Sequence, residues 1–577
     1  MNVRPKRAVR TAACTIAAAA LLVVVASSAD AGGNRNDDEN GHGARGKGSL
    51  VTKPVDLQIL AINDFHGALN TRSTAFGGTG GVQYLATNLR NSEAAAPGHS
   101  VTVSAGDLIG ASPLISALFH DEPTIEAANM FGLDINAVGN HEFDEGATEL
   151  LRMQYGGTHP VDGDRDGDGF AGAEFRFLAA NVVVDQTGET IFPPYQINVY
   201  DGIKVAFIGM TLEGTPSIVT PSGVAGLTFN DEVDTVNALV PHLQKQGVSS
   251  IVVLIHEGAS GAPGPGTNED NCANGLTGAL GTIVPALDPE VDVVIAGHTN
   301  HEFICLVGDT LVTMADNNGR LYTDIDLQLN RVTKDITVVA VDNVPNLRSV
   351  APATDLQALI DKYNAISAPF ANRVIGSASA VLSRAQNAAG ESPLGDIIAD
   401  SQLAATASDG FGNAVIAFMN PGGIRTDITM ASTGGEPIGA VTYGEVFNVQ
   451  PFGNSLVTMT LTGAQIDTLL EQQWVGQTSP RILQVSSGFA YSWSASAPNG
   501  SKVDPATITL NGVPLNAAGS YRVTVNSFLA DGGDNFLVLI QGTSRLGGAI
   551  DLDALEAYFV ANSPVPPGPQ NRITVIS

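Results

Sequence analysis

The chain has 577 residues, which is more than one typical hydrophobic core accommodates, so two sizeable domains are expected. Its 58 acidic residues outnumber its 28 basic ones, and the formal charge at pH 7 is −30. An anionic surface of this kind repels nucleic acid polymers and anionic membranes, which argues against both as partners. A small anionic substrate would need local positive charge from metal ions or arginines.

The N-terminus has the three parts of a secretory signal peptide. Four basic residues precede the apolar run Ala12 to Val25, and the small-residue pattern Ala29-Asp30-Ala31 follows it. We expect cleavage after Ala31, which would leave 24 Lys and Arg against 57 Asp and Glu. A retained anchor would need roughly 18 to 20 apolar residues, and this run is shorter. The mature protein is therefore expected to be secreted, periplasmic or associated with the cell wall, without a membrane span.

Residues 32–54 are polar and glycine-rich and are predicted to form a flexible leader. Beyond residue 31 the chain keeps two cysteines, Cys272 and Cys305. In an oxidising exterior these two could form a disulfide, worth on the order of 3 to 4 kcal/mol in the chain-entropy model. Two buried thiols are the alternative.

Short apolar runs separated by longer mixed segments fill the chain from Val55 onwards. Helix-capable segments such as Gly81 to Ser92 and Asn230 to Gln246 lie between them. This pattern predicts strands that are buried on both faces and covered by helices, so residues 55–345 are expected to form a layered α/β sandwich. The runs are Leu57 to Ile62, Val101 to Val103, Ile135 to Val138, Phe177 to Ala180, Val205 to Ile208, Ile251 to Ile255 and Val291 to Ala296.

A linking helix is predicted in residues 346–370, where Leu356, Leu359, Ile360 and Tyr363 fall at helical spacing. Residues 371–577 are richer in Gly, Thr and β-branched residues. A helix is predicted over Gly395 to Thr406, with several strands after it. The second domain is therefore expected to be α+β.

An acidic segment interrupts the first domain at Asp162, Asp164, Asp166 and Asp168. Alternating carboxylates on a glycine-bent loop have the chemistry of a calcium site. In an EF-hand alignment that starts at Asp164, however, Glu174 falls at the eleventh position, one short of the bidentate glutamate. An irregular calcium loop and a solvated acidic loop both remain open.

Five of the apolar runs end in residues that can bind metal. Each alone has a plainer explanation, as a helix cap or a hydrogen-bonded structural histidine. Together they share one location, the carboxyl ends of buried strands, where open α/β sheets assemble their ligand sites. One shared site is therefore expected, formed by Asp64, His66, Asp107, Asn140, His141, His256 and His298.

The donor types suit borderline divalent ions. Histidine, aspartate and asparagine side chains, without cysteine, favour zinc, manganese, cobalt or iron. They are too many for one catalytic ion with an open position. Two ions about 3.5 to 4 Å apart that share a carboxylate would use them, and such pairs stabilise in-line displacement at phosphorus. Asp107 is the expected bridge.

These motifs, in this order, resemble those of the calcineurin-like metallophosphoesterases, and within them the secreted 5'-nucleotidase and UDP-sugar hydrolase family. The first-domain motifs are Ile62-Asn63-Asp64-Phe65-His66-Gly67, Gly106-Asp107, Gly139-Asn140-His141-Glu142-Phe143-Asp144, Ile255-His256-Glu257 and Gly297-His298-Thr299-Asn300. The second-domain motifs are Met419-Asn420-Pro421-Gly422-Gly423-Ile424-Arg425, Gln450-Pro451-Phe452-Gly453 and Phe528-Leu529-Ala530-Asp531-Gly532-Gly533-Asp534.

The resemblance implies two divalent ions, with zinc or manganese expected. One would be held by Asp64, His66 and Asp107, and the other by Asp107, Asn140, His256 and His298. A further ligand two residues after His298 would be Asn300. Many metallophosphoesterases have histidine there, and His301 comes one residue late, so the identity of this ligand stays open.

The resemblance also implies a catalytic pair. His141 would stabilise the phosphoryl oxygens or protonate the leaving group, and Asp144 would orient its imidazole. Glu142 and Glu145 are expected to have no part in the chemistry and to serve only as local caps.

In the second domain the resemblance implies a nucleoside site. Phe452 and Phe528 would stack on the base, although core packing is the usual role of such aromatics. The polar groups around them would be Arg384, Asn420, Gly422, Arg425 and Asp534, facing phosphate and ribose, with surface ion pairing as the alternative for the two arginines. Because the metals and the aromatic rings lie on different domains, catalysis is expected to require domain closure.

The function implied is a secreted metal-dependent enzyme that releases phosphate from nucleoside 5'-monophosphates, with UDP-sugars and nucleoside di- or triphosphates as a wider substrate range. A 2',3'-cyclic-nucleotide 2'-phosphodiesterase with 3'-nucleotidase activity has the same metal motifs. A noncatalytic secreted interaction protein that keeps the fold is the alternative of another class, and it would be expected to lack a core ligand.

Overall fold

The computed structural model describes residues 53–96, 98–219, 221–259, 272, 275–432 and 435–576. The expected signal peptide and all but two residues of the expected leader lie outside these ranges. The predicted fold class is confirmed: a layered α/β domain is followed by a second, α+β domain. Among the described residues, none of the helices is both long enough and apolar enough to cross a membrane.

The first domain contains two six-stranded sheets. In the first sheet the strand order is β14-β13-β1-β2-β3-β4, with β1 to β4 parallel to one another. Its strands are β1 (Val55–Ile62), β2 (His99–Ser104), β3 (Ile135–Ala137), β4 (Arg176–Leu178), β13 (Leu321–Leu329) and β14 (Ile336–Pro345).

The second sheet has the order β11-β12-β10-β9-β7-β6, and its four central strands are parallel. Its strands are β6 (Tyr195–Tyr200), β7 (Ile203–Thr211), β9 (Ile251–His256), β10 (Val291–Ala296), β11 (Glu302–Val307) and β12 (Thr310–Ala315). A separate two-stranded ribbon pairs β5 (Val182–Val184) with β8 (Leu227–Phe229). All seven apolar runs predicted as strands form or overlap strands.

One hydrophobic core joins the two sheets: Ile59 and Val103 of the first pack in the same cluster as Phe207 and Leu254 of the second. The outer faces of the sheets are covered by helices, so the central strands are buried on both sides, as their unbroken apolar sequences require. The helices of this domain are α1 (Val82–Ala95), α2 (Leu114–Ala117), α3 (Glu122–Phe131), α4 (Ala147–Tyr155), α5 (Glu232–Lys245), α6 (Leu280–Ala286) and α7 (Thr354–Ala371).

Helix α7 is the predicted linking helix, and it packs as part of the first domain. Leu356, Ile360 and Tyr363 are buried in the cluster that also contains Phe119 of the α2–α3 region. The Tyr363 and Phe119 rings meet edge to face with centroids 4.8 Å apart. The helix that was expected to link the domains is therefore fixed to one of them.

Four strands between residues 302 and 345 were not singled out from the sequence. In β13, Ile325, Leu327 and Leu329 are buried whereas Asp326 and Gln328 are partly exposed. Such alternation marks a strand with one buried face, which differs from the continuous apolar runs that were used to find the central strands. Strand β11 also contains Cys305, which is joined to Cys272 by a disulfide with Cα atoms 5.1 Å apart.

The second domain combines a five-stranded sheet in the order β19-β16-β23-β18-β24, a four-stranded sheet in the order β22-β21-β20-β25, and the pair β15-β17. Its strands are β15 (Val374–Ser377), β16 (Ile416–Met419), β17 (Ala440–Thr442), β18 (Ser455–Thr462), β19 (Gln484–Val485), β20 (Phe489–Ser494), β21 (Thr509–Leu510), β22 (Val513–Pro514), β23 (Ser520–Asn526), β24 (Thr543–Ile550) and β25 (Ile573–Ile576).

Helices α8, α9, α10 and α11 of the second domain begin at a side chain that caps the first turn, whereas α12 does not. The predicted helix over Gly395 to Thr406 is observed as Pro393–Thr406, and the Ser392 side chain accepts a hydrogen bond from the backbone N–H of Gly395. Proline at the first helical position extends the start by two residues. The helices are α8 (Pro393–Thr406), α9 (Tyr443–Val449), α10 (Gly463–Glu471), α11 (Ser527–Ala530) and α12 (Asp551–Asn562).

Candidate active site

The metal-binding side chains predicted from the strand ends come together at one edge of the two facing sheets. His66 Nε2 lies 4.0 Å from Asp64 Oδ1 and 3.8 Å from Asp107 Oδ2. His256 Nε2 lies 3.0 Å from the same Asp107 oxygen. Asn140 Oδ1 and His298 Nδ1 are 3.0 Å apart.

Asp107 is common to two groups of converging donor atoms. One group contains His66, Asp107 and His141, and the other contains Asp107, His256 and His298; within each group the donor atoms lie within 4.8 Å of one another. The Asp107 side chain is 2 % exposed. Its position between the groups is the one a bridging carboxylate requires.

The backbone at these positions is held in a conformation that side chains rarely adopt. The φ angles are 47° at Asp64, 48° at His66, 50° at Asp107 and 75° at His298. Left-handed φ at a residue other than glycine costs of order 1–3 kcal/mol and is retained where the surroundings fix it, most often at functional sites. The strain here coincides with the proposed ligands.

The protonation pattern around His256 fits a metal ligand. Its Nδ1 lies 2.8 Å from the backbone carbonyl oxygen of Ala105, which can only accept, so Nδ1 carries the proton. In the neutral imidazole, Nε2 then has a lone pair that faces Asp107 Oδ2 at 3.0 Å in a buried environment. His66 is arranged alike, with Nδ1 3.0 Å from the carbonyl oxygen of Gly110. A lone pair facing a carboxylate is the arrangement that a bound cation satisfies.

Burial controls the charge of these imidazoles. It lowers the pKa of His66 and of His298 to about 3, which leaves both rings neutral, the form that binds metal. Burial also lowers the pKa of His256, but the adjacent Asp107 carboxylate outweighs it and raises that pKa to about 10. Without a bound cation, a proton on His256 thus compensates the negative charge of Asp107.

Asn300 is the ligand position that the sequence left open. Its Oδ1 accepts a hydrogen bond of 2.6 Å from Asn317 Nδ2, and its own Nδ2 donates to the carbonyl oxygen of His298. Both ends of the Asn300 amide are therefore engaged by neighbouring residues. Its role as a metal ligand stays a prediction.

His141 and Asp144 are hydrogen-bonded as a pair, with His141 Nδ1 2.8 Å from Asp144 Oδ2. Because the carboxylate accepts from Nδ1, Nε2 is the nitrogen left to interact with a substrate. The backbone N–H of His141 donates to Asp107 Oδ1 at 2.9 Å. Burial lowers the pKa of His141, but the carboxylates of Asp144 and Asp107 raise it overall.

Glu142 has a structural role at the site that its sequence position did not suggest. Its carboxylate is 3 % exposed and accepts hydrogen bonds from the backbone N–H groups of Asp107, Leu108 and Gly139, at 3.0, 2.9 and 2.6 Å. Glu142 thus holds the turn that presents Asp107. It was expected to act as a local cap, whereas it binds a neighbouring strand end 35 residues away in sequence.

Gly139 allows this close approach. A methyl group added there would lie 2.3 Å from Asp107 Oδ1 and 2.8 Å from Glu142 Oε2. Glu145, the glutamate that was also expected to act as a local cap, is instead half-exposed, and its Oε2 lies 2.7 Å from His120 Nδ1.

A cavity next to the metal-type donors is lined by both domains. From the first domain it takes the predicted catalytic pair and two of the proposed ligands, and from the second it takes six of the seven predicted substrate residues. Its lining includes Asn140, His141, Asp144, His298, Asn420, Gly422, Arg425, Phe452, Asn454, Arg481, Asn526, Phe528 and Asp534. The Phe452 ring lies nearly parallel to His141, with centroids 5.8 Å apart, and Arg425 Cζ lies 5.7 Å from the same ring centre.

Arg384, the seventh predicted substrate residue, lies outside this lining. Its side chain is exposed at a separate surface cleft with Asp427, and its Nη1 donates to the carbonyl oxygen of Ile424 at 3.2 Å. Arg481 lines the cavity instead and forms an ion pair with Asp534. Sequence reasoning missed Arg481 because it lies outside the recognised motifs and is brought to Asp534 only by the fold.

Two family models match consecutive parts of the chain. The calcineurin-like phosphoesterase model matches residues 57–302, and the model of the 5'-nucleotidase C-terminal domain matches residues 374–541. The fold and the clustered donors define a two-domain metallophosphoesterase. The chain therefore joins a calcineurin-like phosphoesterase domain to a 5'-nucleotidase C-terminal domain.

Individual relatives are similar to most of the chain. The chain is 36% identical over 526 residues to the cell wall protein Lmo0130 of Listeria monocytogenes, covering 86% of this chain and 66% of that protein. It is 32% identical over 515 residues to the endonuclease YhcR of Bacillus subtilis, covering 87% of this chain and 39% of that protein. The chain thus spans less than two thirds of either relative.

Among solved structures, the 5'-nucleotidase precursor from Thermus thermophilus is similar over both domains. The superposition has a TM-score of 0.72 and 26% sequence identity, and it covers 90% of this chain and 99% of that one.

Replacement of Glu142 by alanine is expected to weaken metal binding by about 10- to 100-fold, because loss of an outer-shell partner frees the turn that carries Asp107. Metal content after gel filtration, measured by plasma mass spectrometry, tests this. Glu145→Ala, a change of the same type at a half-exposed carboxylate, is the matched control and should retain the wild-type metal content. Equal metal loss in both variants would contradict the role given to Glu142.

Proposed function

We propose that this protein is a secreted metal-dependent phosphohydrolase that releases phosphate from nucleoside 5'-monophosphates. We propose that the same site also accepts UDP-sugars and nucleoside di- or triphosphates. Secretion is supported by the signal-peptide pattern of residues 1–31 and by the name of the relative Lmo0130, a cell wall protein.

The observation that carries the proposal is the shared cavity. It combines donors for metal and a His–Asp pair from one domain with two aromatic rings, an arginine and a buried carboxylate from the other. A phosphoryl group beside His141 and a base near Phe452 and Phe528 would fit a single small nucleotide. A nucleic acid polymer is disfavoured by the formal charge of −30.

The donor set fits two divalent ions, one on Asp64, His66 and Asp107 and one on Asp107, Asn140, His256 and His298. When bound, such ions lower the pKa of water to supply the nucleophile and polarise the phosphoryl oxygens. The chain's own residues have the separate task of holding the substrate and handling the proton.

His141 and Asp144 handle the proton and the developing charge. Asp144 fixes Nδ1 of the imidazole through a 2.8 Å hydrogen bond, so Nε2 is available to donate to a phosphoryl or leaving-group oxygen. The backbone hydrogen bond from His141 to Asp107 couples the imidazole to the bridging carboxylate. The catalytic ring and the ligands are therefore positioned as one unit.

The second domain supplies recognition of the nucleoside. Phe452 and Phe528 offer apolar faces for stacking, which is worth about 1 to 3 kcal/mol per base and tolerates different bases. Arg425 provides positive charge for phosphate. Asp534 accepts from Asn420 Nδ2 at 3.0 Å and pairs with Arg481, so its carboxylate is held rigidly for ribose hydroxyls.

His141→Ala is expected to lower kcat by roughly 10²- to 10⁴-fold while metal content is retained, because the imidazole acts on the substrate and is not itself a ligand. Steady-state AMP hydrolysis together with metal analysis would measure both quantities. His242→Ala, at an exposed histidine, is the control and should leave kcat unchanged. Near-normal turnover of His141→Ala would remove this residue from the mechanism.

Phe452→Ala is expected to lower kcat/KM for AMP by about 5- to 150-fold, the equivalent of one lost stacking contact. Hydrolysis of p-nitrophenyl phosphate, which has no base to stack, should change much less in the same variant. Comparison of the two substrates separates base recognition from damage to the catalytic centre. Equal losses on both would contradict the stacking role.

The decisive assay compares AMP, UDP-glucose and 2',3'-cyclic AMP side by side with added zinc or manganese and a chelator control. Phosphate release from AMP that the chelator abolishes is the expected result. No turnover of any of the three would contradict the enzymatic function, and turnover of the cyclic nucleotide alone would assign the protein to the 2',3'-cyclic phosphodiesterases.

A further inference from the structure

The acidic segment after helix α4 is not used by the proposed reaction. Asp162 turns away from the other carboxylates of the segment, since its Oδ2 lies 2.9 Å from His120 Nε2 and 2.7 Å from Arg165 Nη2. Asp166 and Asp168 instead face helices α3 and α7. The segment therefore divides into two parts with different partners.

Asp166 and Asp168 meet a third carboxylate, that of Glu126 on helix α3. One oxygen from each of the three lies within 4.8 Å of the others. Calcium takes oxygen ligands at 2.3–2.6 Å, so oxygens with this spacing can contact one ion. None of these residues belongs to the catalytic cluster.

Glu126 supplies what the local sequence lacks. Asp164, Asp166, Asp168 and Gly169 follow the opening pattern of an EF-hand loop, and Gly169 has the positive φ of 79° that its sharp turn needs. The twelfth position of such a loop is a bidentate glutamate, but Glu174 falls one residue short, is exposed and lies outside the cluster. Glu126 on helix α3 provides the glutamate that the loop itself lacks next to Asp166 and Asp168.

The charge of the cluster is incompletely compensated. Lys362 Nζ lies 2.8 Å from both Asp166 Oδ2 and Asp168 Oδ2, and Tyr363 donates to Asp166 Oδ2 at 2.7 Å. Asp166 nevertheless has a side chain only 2 % exposed, and its second oxygen, Oδ1, is buried without a hydrogen-bond partner among the described residues. One ammonium thus serves three carboxylates, and a buried anionic oxygen lacks the partner that burial normally demands.

We propose that Glu126, Asp166 and Asp168 bind a calcium ion, with water completing the coordination and the Lys362 ammonium giving way to the ion. The ligands are all oxygen, which favours a hard cation over zinc. Water is needed because the carbonyl of Phe170, the main-chain ligand of an EF-hand, accepts a hydrogen bond from the backbone N–H of Gly157 at 2.9 Å.

Calcium at this position would join two separate parts of the first domain, helix α3 and the acidic segment, beside helix α7. Glu126 belongs to α3 and the two aspartates to the acidic segment, and the Tyr363 hydroxyl on α7 lies 2.9 Å from Glu126 Oε2 and 2.7 Å from Asp166 Oδ2. Because the ion binds only when these parts are packed together, it stabilises the folded state.

The test uses the full-length protein with its catalytic metal kept at constant concentration, titrated with calcium chloride in a calorimeter and heated with and without calcium. We expect one calcium site with Kd on the order of 10⁻⁴ to 10⁻³ M, the range of extracellular modules. Ten millimolar calcium should raise the Tm by about 2–4 °C, and equimolar magnesium should not.

The variants locate the site. Glu126→Gln and Asp168→Asn should each weaken calcium binding at least 10-fold and abolish the rise in Tm, whereas Lys362→Met should tighten binding. Glu174→Gln and Asp162→Asn, carboxylates of the same segment outside the cluster, should match the wild type. Asp168 is exposed, so its variant keeps the test valid if Glu126→Gln fails to fold. Wild-type calcium binding in Asp168→Asn, or no calcium-dependent rise in the wild-type Tm, would overturn the proposal.

Discussion

The carboxylate of Asp107 is the group on which the catalytic edge of the first domain depends. It is almost completely buried, and desolvation of an isolated carboxylate is very unfavourable unless charges or hydrogen bonds compensate it. The compensation comes from other strand ends: the backbone N–H of His141 after β3 and the imidazole of His256 at the end of β9. The site exists only when both sheets are packed, so its geometry and the fold are inseparable.

The same convergence concentrates strain in the first domain. Several proposed ligands combine burial with a left-handed backbone, and the pKa of Asp64 is raised to about 7, first by burial and also by the neighbouring Asp107. A protein keeps such an arrangement only if the rest of the structure imposes it. The packed sheets and the Glu142 carboxylate provide that constraint, and bound cations would relieve the electrostatic part of it.

Much of this architecture is encoded locally. Six donors could be assigned to one site because each follows an apolar run: Asp64, His66, Asp107, Asn140, His256 and His298. A continuous apolar run is typical of a strand that is buried on both faces. The seven strands that coincide with apolar runs were predictable for the same reason. Strand β13 was not, since its apolar residues alternate with polar ones and mark one buried face only.

The sequence could not predict contacts between residues that are far apart along the chain. Glu142 resembles a local cap, and only the fold shows that it holds Asp107. Arg481 lies outside the recognised motifs, and only the fold shows that it forms an ion pair with Asp534. Glu126 lies on a helix that is distant in sequence from the acidic segment, and only the fold brings it next to Asp166 and Asp168. Spacing along the chain carries no information on these contacts, because each depends on how separate elements pack.

Charge explains how an acidic protein can bind an anionic substrate. Of the two arginines that line the cavity, Arg481 is paired with Asp534, which leaves Arg425 facing Phe452 as the cation available to phosphate. Asp64 and Asp107 add two negative charges beside the cavity. Two divalent ions would bring four positive charges, reverse the sign of the local potential and match the dianion of a phosphate monoester. Under the proposed function, metal binding would therefore govern substrate affinity as well as chemistry, since without the ions these carboxylates would repel a phosphate group.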